Sequence, residues 1–165
     1  MTRAELAAEQ LSPAICGRVV LEVACGTAEF SLAAAGEAES VVCIDVDDSR
    51  LLPEVFDCEN LRFHRMDAAA MHFGDESFDT AVLYNAAFHL EEKLDAVLAE
   101  CLRVLRPGGL FCAVSSWSLD RPVLTDTLLP LLNARGLRHR LSVDGPFLWV
   151  QARKSFPKGA EHDRS

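Results

Sequence analysis

The sequence predicts a doubly wound α/β fold: a mostly parallel, seven-stranded sheet with helices on both faces and a C-terminal antiparallel hairpin. Three observations carry this. Short apolar runs of strand length recur along the chain, segments of helical period separate the first five of them, and after Gly136 the pattern switches to period two on either side of a turn. With 165 residues, half of them apolar, the chain has the material for one hydrophobic core. We read residues 1–153 as a single domain and 154–165 as a polar tail expected to fray.

The opening "MTRAELAAEQLSPAIC" alternates charge with alanine and has neither the apolar stretch of a signal peptide nor the length of a membrane span. A short amino-terminal helix, a cytoplasmic location and no membrane partner are expected from it. Strands follow at 19–23 (VVLEV), 41–45 (VVCID), 61–64 (LRFH), 79–84 (DTAVLY) and 110–115 (LFCAVS). The clearest helix is 91–105, where Leu94, Val97, Leu98, Cys101 and Leu105 recur at spacings of three and four before "RPGG" stops it. A second is expected at about 121–135, opened by Asp120 and Pro122, kinked at Pro130 and closed by Gly136. "LRHRLSV", the turn "DGP" and "FLWVQAR" form the final hairpin.

Sixteen Lys and Arg against twenty-five Asp and Glu give a net charge of -9, with no basic run to follow a phosphate backbone. Nucleic acid is therefore not an expected partner. The six cysteines (16, 25, 43, 58, 101 and 112) form no C-x-x-C pair and read as small core residues. His64, His72, His139 and His162 have no metal-ligand spacing, so no metal site is expected.

In such a sheet ligands bind beyond the carboxyl ends of the strands, where the strand order reverses. Ala24, Gly26, Thr27 and Ala28 supply the small residues that let a backbone approach a ligand, and Asp45 ends the second strand nineteen positions after Gly26. A nicotinamide dinucleotide calls for G-x-G-x-x-G around its diphosphate. Residues 24–29 read A-C-G-T-A-E instead, flanked by Glu22 and Glu29. Those acids suit a ligand that brings a cation.

At these residues the chain resembles the class I S-adenosylmethionine-dependent methyltransferases, in particular the small-molecule subgroup, from about residue 18 to about 115. The family's first motif is similar to Glu22, Ala24, Cys25, Gly26 and Ala28, and the resemblance implies that this loop holds the methionine end of the cofactor. It also implies ribose binding by Asp45, with Val46 beside it and a short helix following in "DVDDSRLL". "LRFHRMDAAAMHFGDESFDTAVL" matches the family's run across strands three and four, which sets Asp67 and Ala68 beside the adenine. "LRVLRPGGLF" resembles the junction before strand five. Ala24 and Ala28 stand where the family has glycines, and His72 where it usually has proline.

"YNAAFHL" follows strand four, where the family transfers the methyl group. Asn85 and His89 match the Asn-x-x-x-His spacing of small-molecule members, with His89 either a general base or a cap on the next helix. Trp117 either walls a substrate pocket or packs. The resemblance thus implies a Rossmann-like methyltransferase that uses S-adenosyl-L-methionine to methylate a small molecule. The alternatives are a nonenzymatic cofactor-binding subunit of a methyltransferase complex and, less well supported by the loop, a nicotinamide dehydrogenase. Connections at the strand ends are short, so the site is expected to be open and covered by a homodimer mate or a partner protein.

Overall fold

The computed structural model describes residues 1–158. Seven strands form one sheet: β1 (Val19–Val23), β2 (Ser40–Asp45), β3 (Leu61–Arg65), β4 (Phe78–Tyr84), β5 (Leu105–Ser115), β6 (His139–Asp144) and β7 (Phe147–Arg153). Their order is β3-β2-β1-β4-β5-β7-β6. The first five run parallel, and β7 is antiparallel to both β5 and β6. The order reverses between β1 and β4, so the switch point lies where Val23 and Tyr84 end their strands. β1, β4 and most of β5 are buried on both faces, which is why they read as unbroken apolar runs.

On one face α1 (Arg3–Gln10), α2 (Ser12–Ile15) and α3 (Glu29–Ala35) bury Ala7, Ile15, Phe30 and Ala34 against Val20, Val41 and Val82. A capping box between Thr2 and Glu5 starts α1. On the other face α5 (Leu94–Val104) lays Leu94, Val97, Leu98, Cys101 and Val104 over Leu21, Leu83 and Phe111. The stretch read as helix from 91 begins with a 3₁₀ turn at Glu91–Lys93, and Leu105 belongs to the following strand. β5 therefore starts before the "RPGG" segment, which bulges out of the ladder between the pairs Phe78–Leu105 and Thr80–Leu110.

The second expected helix runs through α6 (Asp120–Pro122), a π-helical stretch Val123–Leu128 and α7 (Leu129–Ala134). Pro130 removes the N–H that the Asp126 carbonyl would accept, and the chain widens its helix in the turn before it. The short helix expected after Asp45 is displaced: 46–52 is irregular, and a 3₁₀ helix forms only at Pro53–Asp57. No helix covers the β3–β4 connection. There Arg103 of α5 donates to the carbonyls of Met71 and Phe73 and pairs with Glu100 and Asp75. Of the tail, 159–165 lie outside the described residues, while Lys154 remains tied to the sheet through Gly109 O and Leu105 O.

Candidate active site

The turn after β1 carries three residues in the left-handed region: Ala24 (φ 55°), Gly26 (φ 58°) and Ala28 (φ 66°). For the alanines this conformation costs about 1–2 kcal/mol each. At Gly26 a Cβ would also sit 3.1 Å from the Arg50 guanidinium. Hydrogen bonds hold the turn in this shape. Gly26 N donates to Asp45 Oδ2 at 2.8 Å, Cys25 N to Ile44 O at 2.9 Å, and Ala28 N to Cys25 O at 2.9 Å.

Glu22 serves the same turn from below. The N-cap of α3 is Ala28, which has no side-chain oxygen for the free N–H groups of the first helical turn. Glu22 Oε1 accepts instead from Ser31 N (3.1 Å) and Ser31 Oγ (2.7 Å). The side chain is fully buried, and Oε2 has no hydrogen-bond partner among the described residues. Burial pushes its carboxyl well above the usual range, with Cys43 and Asp45 adding to the effect and Ser31 opposing it.

Two adjoining hollows open beyond the carboxyl ends of β1, β2 and β4. One, of about 220 Å³, is lined by Asp45, Val46, Met66, Ala68, Leu90 and Lys93. The other, of about 350 Å³, is lined by Arg3, Cys25, Gly26, Thr27, Glu29, Tyr84, Asn85, Ser116 and Trp117. Ala24, Arg50 and His89 border both, so the two form one cleft. A larger hollow of about 470 Å³ lies under α1 against Leu110, Arg140 and Arg153. It is remote from the switch point, and the topology of the sheet assigns the site to the cleft. The neighbouring Cys43 thiol, together with burial, raises the Cys25 thiol, so Cys25 meets the cleft as a neutral wall.

The wall formed by the ends of β4 and β5 is organised by Asp120, whose side chain is fully buried. Its Oδ1 accepts from Phe88 N at 2.8 Å, in the first turn of α4 (Ala87–Leu90), and its Oδ2 accepts from Ser115 Oγ. Ser115 Oγ in turn accepts from Trp117 N at 3.0 Å. Asn85, at φ 50°, accepts from Ser116 N at 2.9 Å. His89 lies in the last turn of α4, edge-on to Phe88 and Trp117.

Of the residues singled out in the sequence, Ala24, Cys25, Gly26, Asp45, Val46, Ala68, Asn85 and His89 line the cleft, as does Trp117. Glu22 does not; it lies beneath the floor. Asp67 does not either: it is half-exposed and bonded to Lys93 Nζ at 2.9 Å. Ala69 N and Lys93 hold its carboxyl below the usual range, and no helix starts there for it to cap. Ala28 is buried in the core, so of the two replacement alanines Ala24 alone lines the cleft. Arg3, Arg50 and Asp120 were not legible as site residues, because nothing in their local pattern separates them from surface charges or a helix start.

A family model described as "Methyltransferase domain" matches residues 21–113. The chain belongs to this methyltransferase family. Among curated proteins, the chain is 31% identical over 127 residues to an uncharacterized methyltransferase of Bacillus subtilis, a match covering 73% of this chain and 49% of the relative. It is 34% identical over 109 residues to the ubiquinone/menaquinone biosynthesis C-methyltransferase of Azotobacter vinelandii, covering 61% and 43%. The chain thus spans about half or less of the curated relatives it matches. Its fold is that of an S-adenosylmethionine-dependent methyltransferase of Aquifex aeolicus (TM-score 0.78, 18% identity, 92% of each chain). It also matches the 1,6-didemethyltoxoflavin-N1-methyltransferase of Burkholderia thailandensis, solved with S-adenosylhomocysteine (TM-score 0.73, 19% identity, 93% and 79% covered).

Proposed function

We propose that this chain binds S-adenosyl-L-methionine and transfers its methyl group to a small organic molecule. The observation that carries the reading is Asp45, whose carboxylate closes the β1 turn at the switch point and borders the hollow lined by Val46, Met66, Ala68 and Leu90. A ribose on Asp45 and an adenine among those apolar side chains suit that hollow, with Asp67 and Lys93 at its outer side. The neighbouring hollow offers Arg3 and Arg50 for a carboxylate and Glu29 for an ammonium. Glu22 contributes from beneath, by fixing the helix that follows the turn.

When bound, the cofactor supplies an electrophilic methyl group on a sulfonium. The work left to the protein is to align an acceptor and exclude water. Asn85, His89 and Trp117 border the same hollow and are the groups available to an acceptor. His89 is the candidate to take a proton from it; His89→Ala then lowers turnover by about 10²–10⁴. A nonenzymatic cofactor-binding subunit would not need these residues on its cleft, and their presence there favours the enzyme.

The rim is apolar and exposed: Val46, Phe88, Trp117 and Leu119 are 54%, 44%, 44% and 59% accessible. No inserted segment among the described residues covers it, and we assign the cover to a second protein molecule. No helix among the described residues is long and apolar enough to cross a membrane. The free cysteines fit a reducing compartment, and we assign the reaction to the cytoplasm. Titration calorimetry with S-adenosylmethionine, S-adenosylhomocysteine and NAD tests the cofactor assignment. Binding of the two adenosyl compounds is expected; tight NAD binding without a response to either sinks it.

A further inference from the structure

We propose that two copies of this chain pair edge to edge through β6, antiparallel, with Ser142 on the two-fold axis. Among the described residues β6 ends the sheet, and its outer edge has no strand beside it. A free edge is a template for pairing unless charge, proline or a bulge blocks it. β6 is joined to β7 by the two-residue loop Gly145–Pro146, with Gly145 at φ +57° and the proline ring fixing the next φ, the pattern of a type II′ hairpin. Such a loop closes on a hydrogen-bonded pair, here Asp144–Phe147. The alternation of the ladder then bonds Ser142 and Arg140 to β7 and turns the N–H and C=O groups of Leu141 and Val143 outward.

The side chains of β6 fit their own copy. Leu141 and Val143 stand opposite Val150 and Leu148, so they continue the apolar face that the helices at 94–134 cover farther in. There they reach past the cover, 46% and 66% exposed. Arg140 and Asp144 lie on the other face, and no ion pair engages either among the described residues. With Ser142 opposite Ser142, Leu141 meets Val143 of the second copy and Arg140 meets its Asp144, each twice. Every crossing from 140 to 144 is then complementary, and the outward N–H and C=O groups of Leu141 and Val143 exchange hydrogen bonds. A slip of one residue sets Arg140 against Val143 and Leu141 against Ser142, which loses both complements. Each copy carries a net charge of -9, so the Arg140–Asp144 crossings are the local attraction that works against a general repulsion.

The two-fold axis reverses the strand direction, so the two clefts open at opposite ends of one continuous sheet. This pairing leaves both uncovered, and the cover assigned above then falls to a different protein. The inference does not depend on the cofactor assignment.

Sedimentation velocity over a wide concentration range tests it. The wild-type chain is expected to move from 18.1 kDa toward twice that mass. Arg140→Asp opposes like charges at both crossings and weakens association by about tenfold or more. Adding Asp144→Arg to that variant restores pairing with the charges exchanged. Val143→Pro deletes an outward N–H that β7 does not use, so it abolishes pairing while the circular dichroism of the monomer is kept. If the proline variant misfolds, the charge exchange decides alone. A wild-type chain that stays monomeric throughout overturns the proposal, as does a dimer indifferent to Arg140→Asp or not restored by the exchange.

Discussion

The two walls of the cleft are each held by a buried carboxylate reaching a helix that lacks a side-chain cap of its own, yet the two differ in how completely that carboxylate is satisfied. Asp120 bonds through both oxygens, to Phe88 N and to Ser115 Oγ, and through them fixes the ends of β4 and β5. Among the described residues Glu22 bonds through one oxygen only and leaves the other buried without a partner, under a turn that already contains two left-handed alanines. A fully bonded buried carboxylate rigidifies what it touches, whereas a half-bonded one beside strained backbone stores free energy that a change of charge or conformation can release. The β4–β5 wall is the stable one. The β1 turn is the strained one, and it is the wall that Asp45 ties to the candidate ribose position.

The largest expected effect tests the stable wall. Asp120→Ala leaves the Phe88 N–H without its acceptor and the Ser115 hydroxyl with Asn85 Oδ1 alone at 3.0 Å, and should cost about 3 kcal/mol in denaturant unfolding. A loss no greater than that of a surface substitution would remove the contrast. On the strained side, Asp45→Ala should weaken binding of S-adenosylhomocysteine by about 1.5–3 kcal/mol in calorimetry, through lost hydrogen bonds to the ribose. Unchanged affinity would move the ribose elsewhere.

Glu22→Gln reads the half-bonded carboxylate through pH. Burial raises its pKa in the folded state, so the native protein binds this proton more tightly than the unfolded chain does. The contribution is fully present below the unfolded value near ~4.3 and is lost as pH rises through the folded value. The variant should therefore match the wild type in acid and exceed it by about 1 kcal/mol at neutral pH, measured as unfolding midpoints across pH. A variant less stable at neutral pH would mean that the charge is compensated. The smallest effects belong to the alanines. Ala24→Gly should stabilise by about 1 kcal/mol on release of strain. Ala28→Gly should come out near zero, because the methyl it removes is buried and worth about 0.8 kcal/mol.

The strands, the helix on Leu94, Val97, Leu98 and Cys101, the terminal hairpin and the small-residue turn before Asp45 were determined by the sequence alone. Period, turn chemistry and spacing are local properties that each short segment carries in its own residues. The cleft-lining positions Ala24, Gly26 and Asp45 were legible in the small-residue turn and the strand end that follows it, and Asn85 and His89 through the family resemblance. The tertiary structure decided what the charges do. Glu22 looked like a partner for a ligand cation and bonds to Ser31 of the next helix; Asp67 turns outward to Lys93; Asp120 looked like a helix start and organises a wall. Which group a side chain meets depends on the elements that pack beside it, many residues away in sequence. Burial then sets how strongly that meeting counts: a carboxylate in water is indifferent to its neighbours, and one sealed under a helix is not.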